Sequence, residues 1–158
     1  MITAVDTNIL LDILIPNARY AAASQRALEE ALAEGALVIS EVVYAELASQ
    51  FPSPADLEHF LADAQIRLEH SPPQALQKAG AVWKAYVKSR GGKLRCPHCG
   101  REQPVSCVSC GETIAVRQHI LSDFLVGAHA LGCADRLLTR DLGYYRAYFQ
   151  DLKIVSPR

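Results

Sequence analysis

Two kinds of side chain in this 158-residue sequence could do chemistry: carboxylates set after apolar runs, and cysteines in close pairs. Asp6 directly follows the run Met1 to Val5 in AVDTNILLDIL, and Asp141 follows another in LLTRD. Glu46 lies in YAELA and Asp123 in SDFLVGAHAL. A buried charge is costly unless it is paired or bound to metal. Each acid alone has an ordinary use: Asp6 as a helix N-cap, Glu46 as a solvent-facing helix residue, Asp123 as a first-turn dipole partner, Asp141 in a turn. Gathered in one cleft, the four would repel one another and raise their own pKa values unless a cation neutralised them. Hard oxygen donors favour Mg²⁺ or Mn²⁺ over zinc. Two such ions about 4 Å apart can activate water and stabilise the leaving oxygen of a phosphodiester. Asp12, Glu41 and Asp135 are assigned capping or surface roles.

The cysteines form CPHCG and CVSCG, contributing Cys96, Cys99, Cys107 and Cys110 within residues 93–117. Each pair resembles a zinc knuckle, in which a tight turn aims backbone N–H groups at the sulfurs. Four thiolates suit tetrahedral Zn²⁺ in a closed structural site, with iron as the alternative. Disulfides fit a reducing cytosol poorly. His98 lies inside a knuckle, where four thiols already suffice. Cys133 reads as a small core residue.

The elements that must position these groups alternate between strand and helix. Met1 to Val5 reads as a strand and Asn8 to Leu14 as a helix. An Ala-rich helix over about 18–34 stops at Gly35. ALVIS is a buried strand whose Ser40 caps EVVYAELASQ. Ser53-Pro54 and Ser71-Pro72 mark two more helix starts, the second with Gln74 placed for a capping box. A short strand is expected over 65–69, and a helix from Pro72 to about Arg90. After the cysteines come a helix over about 120–131, the strand RLLT, a short helix over 142–149 and the strand KIVS. The pattern predicts a single α/β domain over 1–158 with a mostly parallel sheet flanked by helices, interrupted by the insert. Ligand sites in such sheets lie beyond the carboxyl ends of the strands, where the four acids are expected to meet.

Half the residues are hydrophobic and the net charge is −1. The charge is uneven: seven basic residues against two acidic ones between Lys84 and Arg117 make that segment +5 and the remainder −6. A basic segment can steer a polyanion while an acidic one binds cations. The length suits one core, and no apolar run approaches the roughly 20 residues of a membrane span. With no leader-like start, a cytoplasmic protein is expected.

VDTNILLDIL, YAELA, SDFLVGAHALG and LLTRD, in that order and spacing, resemble the PIN-domain nucleases, and in particular the VapC-type toxins of type II toxin–antitoxin systems. The resemblance covers nearly the whole chain except the cysteine insert. It implies a PIN-like parallel sheet with a small zinc-ribbon-like insertion, and a metal-dependent endoribonuclease leaving a 5′-phosphate end. By that resemblance Asp6 and Asp123 hold Mg²⁺ or Mn²⁺ most directly. Glu46 and Asp141 complete the shell or position the attacking water, and Asn8 and Thr139 support the acids. It also implies an RNA substrate, a cognate antitoxin and a homodimer.

His119 and His129 flank the Asp123 motif, but metal-activated water removes the need for a histidine base. They, His59 and His70 read as structural. Tyr144, Tyr145, Tyr148 and Phe149 could stack bases, yet at helical spacing they are more often core. The competing function is a zinc-bearing RNA- or protein-binding module on an inactive PIN scaffold. A haloacid-dehalogenase-type phosphatase would want an acid where Asn8 stands, and a nucleotide-binding Rossmann enzyme would need a glycine-rich turn after Asp6.

Overall fold

The structure is a computed structural model that describes residues 1–15, 19–89, 93–95, 101–114 and 121–157. Its centre is a parallel sheet of β1 (Ile2–Val5), β2 (Ala36–Ile39), β3 (Ile66–Leu68), β6 (Arg136–Leu138) and β7 (Ile154–Val155). The strand order is β3-β2-β1-β6-β7. From β1 the chain passes through α1 (Thr7–Leu14) and α2 (Ala21–Glu34) to β2, then through α3 (Glu41–Ala48) and α4 (Pro54–Asp63) to β3. It returns by α5 (Pro73–Ser89) and α6 (Leu121–Cys133) to β6, on the other side of β1, and α7 (Leu142–Tyr148) leads to β7. The direction of winding therefore reverses between β1 and β6, the point where open α/β sheets leave a crevice.

The central strands are apolar on both faces because helices cover both. Val5, Leu37, Ile39, Leu137 and Leu138 are almost wholly buried, as continuous apolar runs in a parallel sheet require. Two helix starts follow the expected chemistry. The Ser40 hydroxyl accepts from the Val43 N–H and the Ser53 hydroxyl from the Asp56 N–H, each at 3.3 Å. The third does not. Ser71 donates its hydroxyl at 2.9 Å and turns its N–H to the Glu41 carboxylate. Helix α5 begins two residues later, with the Ala75 and Leu76 N–H groups donating to the Pro72 carbonyl. A long-range carboxylate has displaced the local capping box.

Behind the sheet, Tyr86 of α5, Phe124 of α6 and Tyr144 and Tyr148 of α7 pack ring to ring. Phe124 lies 5.2–5.5 Å from the other three centroids. Such edge and tilted pairs add to what their burial contributes. Gly127 lets α7 approach: a Cβ there would sit 2.5 Å from the Phe149 ring. The aromatic run after Asp141 is thus core, with Tyr144, Tyr145 and Phe149 each at most 6% exposed.

The described part of the insert is β in character. β4 (Lys93–Arg95) pairs antiparallel with β5 (Glu102–Pro104), and Ser106 bridges Thr113. Among the described residues no helix is long and apolar enough to cross a membrane.

Candidate metal centre at the carboxyl edge of the sheet

Asp6 is the first residue past β1, and Thr139 the first past β6. Val5 pairs with Leu138, so the two stand side by side at the crevice. The Asp6 N–H continues the ladder by donating to the Leu138 carbonyl at 3.0 Å. Asp6 is only 8% exposed. Its Oδ2 accepts from the Thr139 hydroxyl at 2.6 Å, the Asn8 amide at 2.7 Å and the Tyr145 hydroxyl at 3.3 Å. Thr139 is the hub of this network, because its Oγ1 also accepts from Asn8 Nδ2 at 3.1 Å and from the Asp141 N–H at 3.0 Å. Asn8 Oδ1 in turn accepts from the Arg140 N–H.

Among the described residues, every side-chain donor to Asp6 is neutral. Burial pushes its carboxyl up to about 6; the Thr139 and Tyr145 hydrogen bonds pull the other way, and the Glu46 charge adds to the rise. Glu46 enters from α3 through the neighbouring residue: the Thr7 hydroxyl donates to its carboxylate. Asp123 lies in the first turn of α6, half-buried, and its charge reaches Tyr144 and Tyr145. Tyr145 is held neutral chiefly by burial, then by the Asp6 and Asp123 carboxylates. Asp141 caps α7, its Oδ1 accepting from the Tyr144 N–H at 3.2 Å.

The structure therefore brings Asp6, Asn8, Thr139 and Tyr145 into one hydrogen-bonded network. Glu46 adjoins it, Asp123 lies within electrostatic reach of Tyr145, and Asp141 touches it through its backbone. Among the described residues no three His, Cys, Asp or Glu side chains are gathered closely enough to hold a metal ion as they stand. Glu46 is turned to Thr7 and the Asp141 carboxylate to its helix. The donor chemistry still fits a hard cation. A desolvated carboxylate with a second acid beside it, and no cationic side chain on it among the described residues, is what Mg²⁺ or Mn²⁺ would neutralise.

The three acids expected to cap or face solvent instead make long-range structural contacts, and Asp12 is buried rather than at the surface. Asp12, 5% exposed, accepts from the Ser24 hydroxyl at 2.6 Å and pairs with Arg140 Nε at 2.8 Å. Glu41 holds Ser71, and Asp135 accepts from the Ile2 N–H at 2.6 Å. His129 is buried with Nε2 2.9 Å from the Glu69 carbonyl oxygen, and burial lowers its pKa. Cys133 is half-buried with its sulfur toward the His70 carbonyl. Tyr145 is the member of the network that sequence reasoning passed over. Its signal was faint: a tyrosine four residues after Asp141 where phenylalanine would fill the same core.

Of the insert cysteines, Cys96 and Cys99 lie outside the described residues, as do His98 and His119. Cys107 and Cys110 are in no disulfide. They close a tight turn in which the Gly111 N–H donates to the Cys107 carbonyl and the Cys107 N–H to Glu112, each at 2.8 Å. Gly111 takes φ +76°, a conformation that favours glycine. The Cys110 and Ser109 N–H groups point at the Cys107 sulfur and lower its thiol pKa. That is half of a knuckle; a four-cysteine zinc site is not shown.

A sequence model of the PIN domain matches residues 3–88, more than half of the chain. The chain belongs to the PIN-domain family. The matched stretch of this PIN chain contains Asp6, Asn8 and Glu46 and ends before the insert. No curated protein matches it in sequence. Its fold is similar to that of VapBC2 from Rickettsia felis, solved with a DNA fragment from the promoter: TM-score 0.62, 16% identity, all of both chains covered. FitAB bound to an IR36 DNA fragment gives TM-score 0.60 and 16% identity over 99% of this chain and 95% of that one. VapC20 of Mycobacterium tuberculosis, a toxin that cleaves the sarcin-ricin loop, gives 0.52 and 14% over 96% and 98%. At such identities the likeness concerns the fold.

Proposed function

We propose that this PIN domain is a divalent-metal-dependent endoribonuclease and the toxin of a toxin–antitoxin pair. The observation that carries the reading is Asp6: a desolvated carboxylate at the crevice of the sheet, held by neutral donors, with Glu46 beside it. Asp6 and Asp123 would hold Mg²⁺ or Mn²⁺, with Glu46 and Asp141 completing the shell or positioning water. A bound divalent ion supplies an activated water and charge stabilisation at the leaving oxygen. Thr139 and Asn8 keep the Asp6 carboxylate aimed. Cleavage of the P–O3′ bond would leave a 5′-phosphate and a 3′-hydroxyl. The fold neighbours VapBC2 and FitAB support an antitoxin partner, and VapC20 supports structured RNA as substrate; a homodimer is part of the same reading.

The test is hydrolysis of RNA with and without Mn²⁺. Cleavage should require the ion and fall by about a thousandfold or more in Asp6→Asn, as expected when a direct metal ligand is lost. Metal-independent RNA binding without cleavage would instead establish the binding module.

For the insert, the reading is a structural Zn²⁺ on Cys96, Cys99, Cys107 and Cys110, because the Cys107 turn already presents N–H groups to a thiolate. Native mass spectrometry should find one zinc per chain, lost in Cys107→Ser. A zinc-free wild-type chain would end that reading.

A further inference from the structure

We propose that Tyr145 is a positioning residue: with Thr139 and Asn8 it fixes Oδ2 of Asp6 and leaves Oδ1 as the oxygen that meets the cation. This rests on the metal-centre reading above. Three donors converge on Oδ2 from three elements: Asn8 from α1, Thr139 from the end of β6 and Tyr145 from α7. Among the described residues no side chain donates to Oδ1. A carboxylate oxygen offers about two lone-pair sites, so Oδ2 is saturated and turned into the protein.

Tyr145 differs from the other two donors in what it connects. Asn8 and Thr139 bond to each other as well as to Asp6, whereas Tyr145 joins the acid to the aromatic core. Its ring lies edge-on to Tyr144 at 4.8 Å and tilted to Phe149 at 6.3 Å. Phe149 is itself pressed against Gly127 in α6, four residues from Asp123. The hydroxyl thus ties Asp6 to the packing that also places the Asp123 helix. The ring alone would fill the same space; the oxygen is the extra atom, and a buried hydroxyl needs a partner.

Tyr145→Phe removes that oxygen and keeps the ring. Mn²⁺ binding is read from loss of the free-ion electron paramagnetic resonance signal in wild type, Tyr145→Phe and Asp6→Asn, alongside unfolding midpoints. Changes in outer partners of metal ligands typically cost 10–100-fold in affinity. The 3.3 Å contact is long for an O–H···O bond, so about tenfold is expected. The midpoint should be unchanged or raised, and kcat for RNA should fall with KM unchanged. Equal Mn²⁺ affinity in wild type and Tyr145→Phe would overturn the proposal alone. A lowered midpoint with unchanged affinity would make the hydroxyl merely structural and also overturn it. Absence of Mn²⁺ binding by wild type would overturn the metal-centre reading, and this proposal with it.

Discussion

Asp6 and Asp12 stand at the start and in the body of the same short helix, and both are buried. Asp12 meets the Arg140 guanidinium and the Ser24 hydroxyl, which tie α1 to α2 and to the loop after β6. Asp6 meets two hydroxyls and an amide, and the Glu46 charge adds to the rise of its pKa. Arg140 is close enough in the chain to serve either acid: its backbone N–H bonds Asn8, while its side chain turns to Asp12 and stacks over Tyr20 at 4.3 Å. Burial alone therefore does not mark a functional acid. What separates the two is whether the protein supplies the cation itself.

The comparison is broken most forcefully from the Asp12 side. Asp12→Ala strips both Ser24 and Arg140 of their acceptor. Breaking a buried ion pair usually costs 3–5 kcal/mol; because Arg140 is about a third exposed, a loss of about 3 kcal/mol is expected in urea unfolding. Retained stability would show that Asp12 is as unpaired in effect as Asp6.

A smaller effect sharpens the Asp6 side. Its carboxyl rises from 3.8 to about 6 in the folded chain, so folding favours the protonated form. The stability this contributes is complete below about pH 4 and is lost as pH rises through 6. The shift corresponds to about 3 kcal/mol at most. In metal-free buffer, Asp6→Asn should therefore be more stable than wild type at pH 7 by about 2 kcal/mol, with the gap closing toward pH 4. A gap that is constant with pH would mean that Asp6 is not strained by its surroundings.

The strands and most helix starts were legible because apolar runs bounded by serine caps leave few alternatives; even β3 stood where 65–69 suggested. Asp6 and Thr139 could be placed because each is the first polar residue after a buried strand. Ser71 misled because its local neighbours promise a cap while Glu41, thirty residues away, takes its hydroxyl. Tyr145 stayed hidden for the opposite reason: its ring obeys the helical pattern, and only its oxygen departs from it. The cysteine pairs were plain as a pattern, yet pairing between them depends on residues 96–100, which lie outside the described set.

The central claim is that Asp6, the buried acid with no counter-charge among the described residues, holds a divalent ion. Calorimetric titration of Mn²⁺ into wild type, Asp6→Asn and Asp12→Asn tests it most directly. Wild type and Asp12→Asn should bind with similar affinity, and Asp6→Asn should lose it by about a hundredfold or more, as for removal of a charged ligand in a buried site. Unchanged binding in Asp6→Asn, or loss of binding only in Asp12→Asn, would contradict the claim.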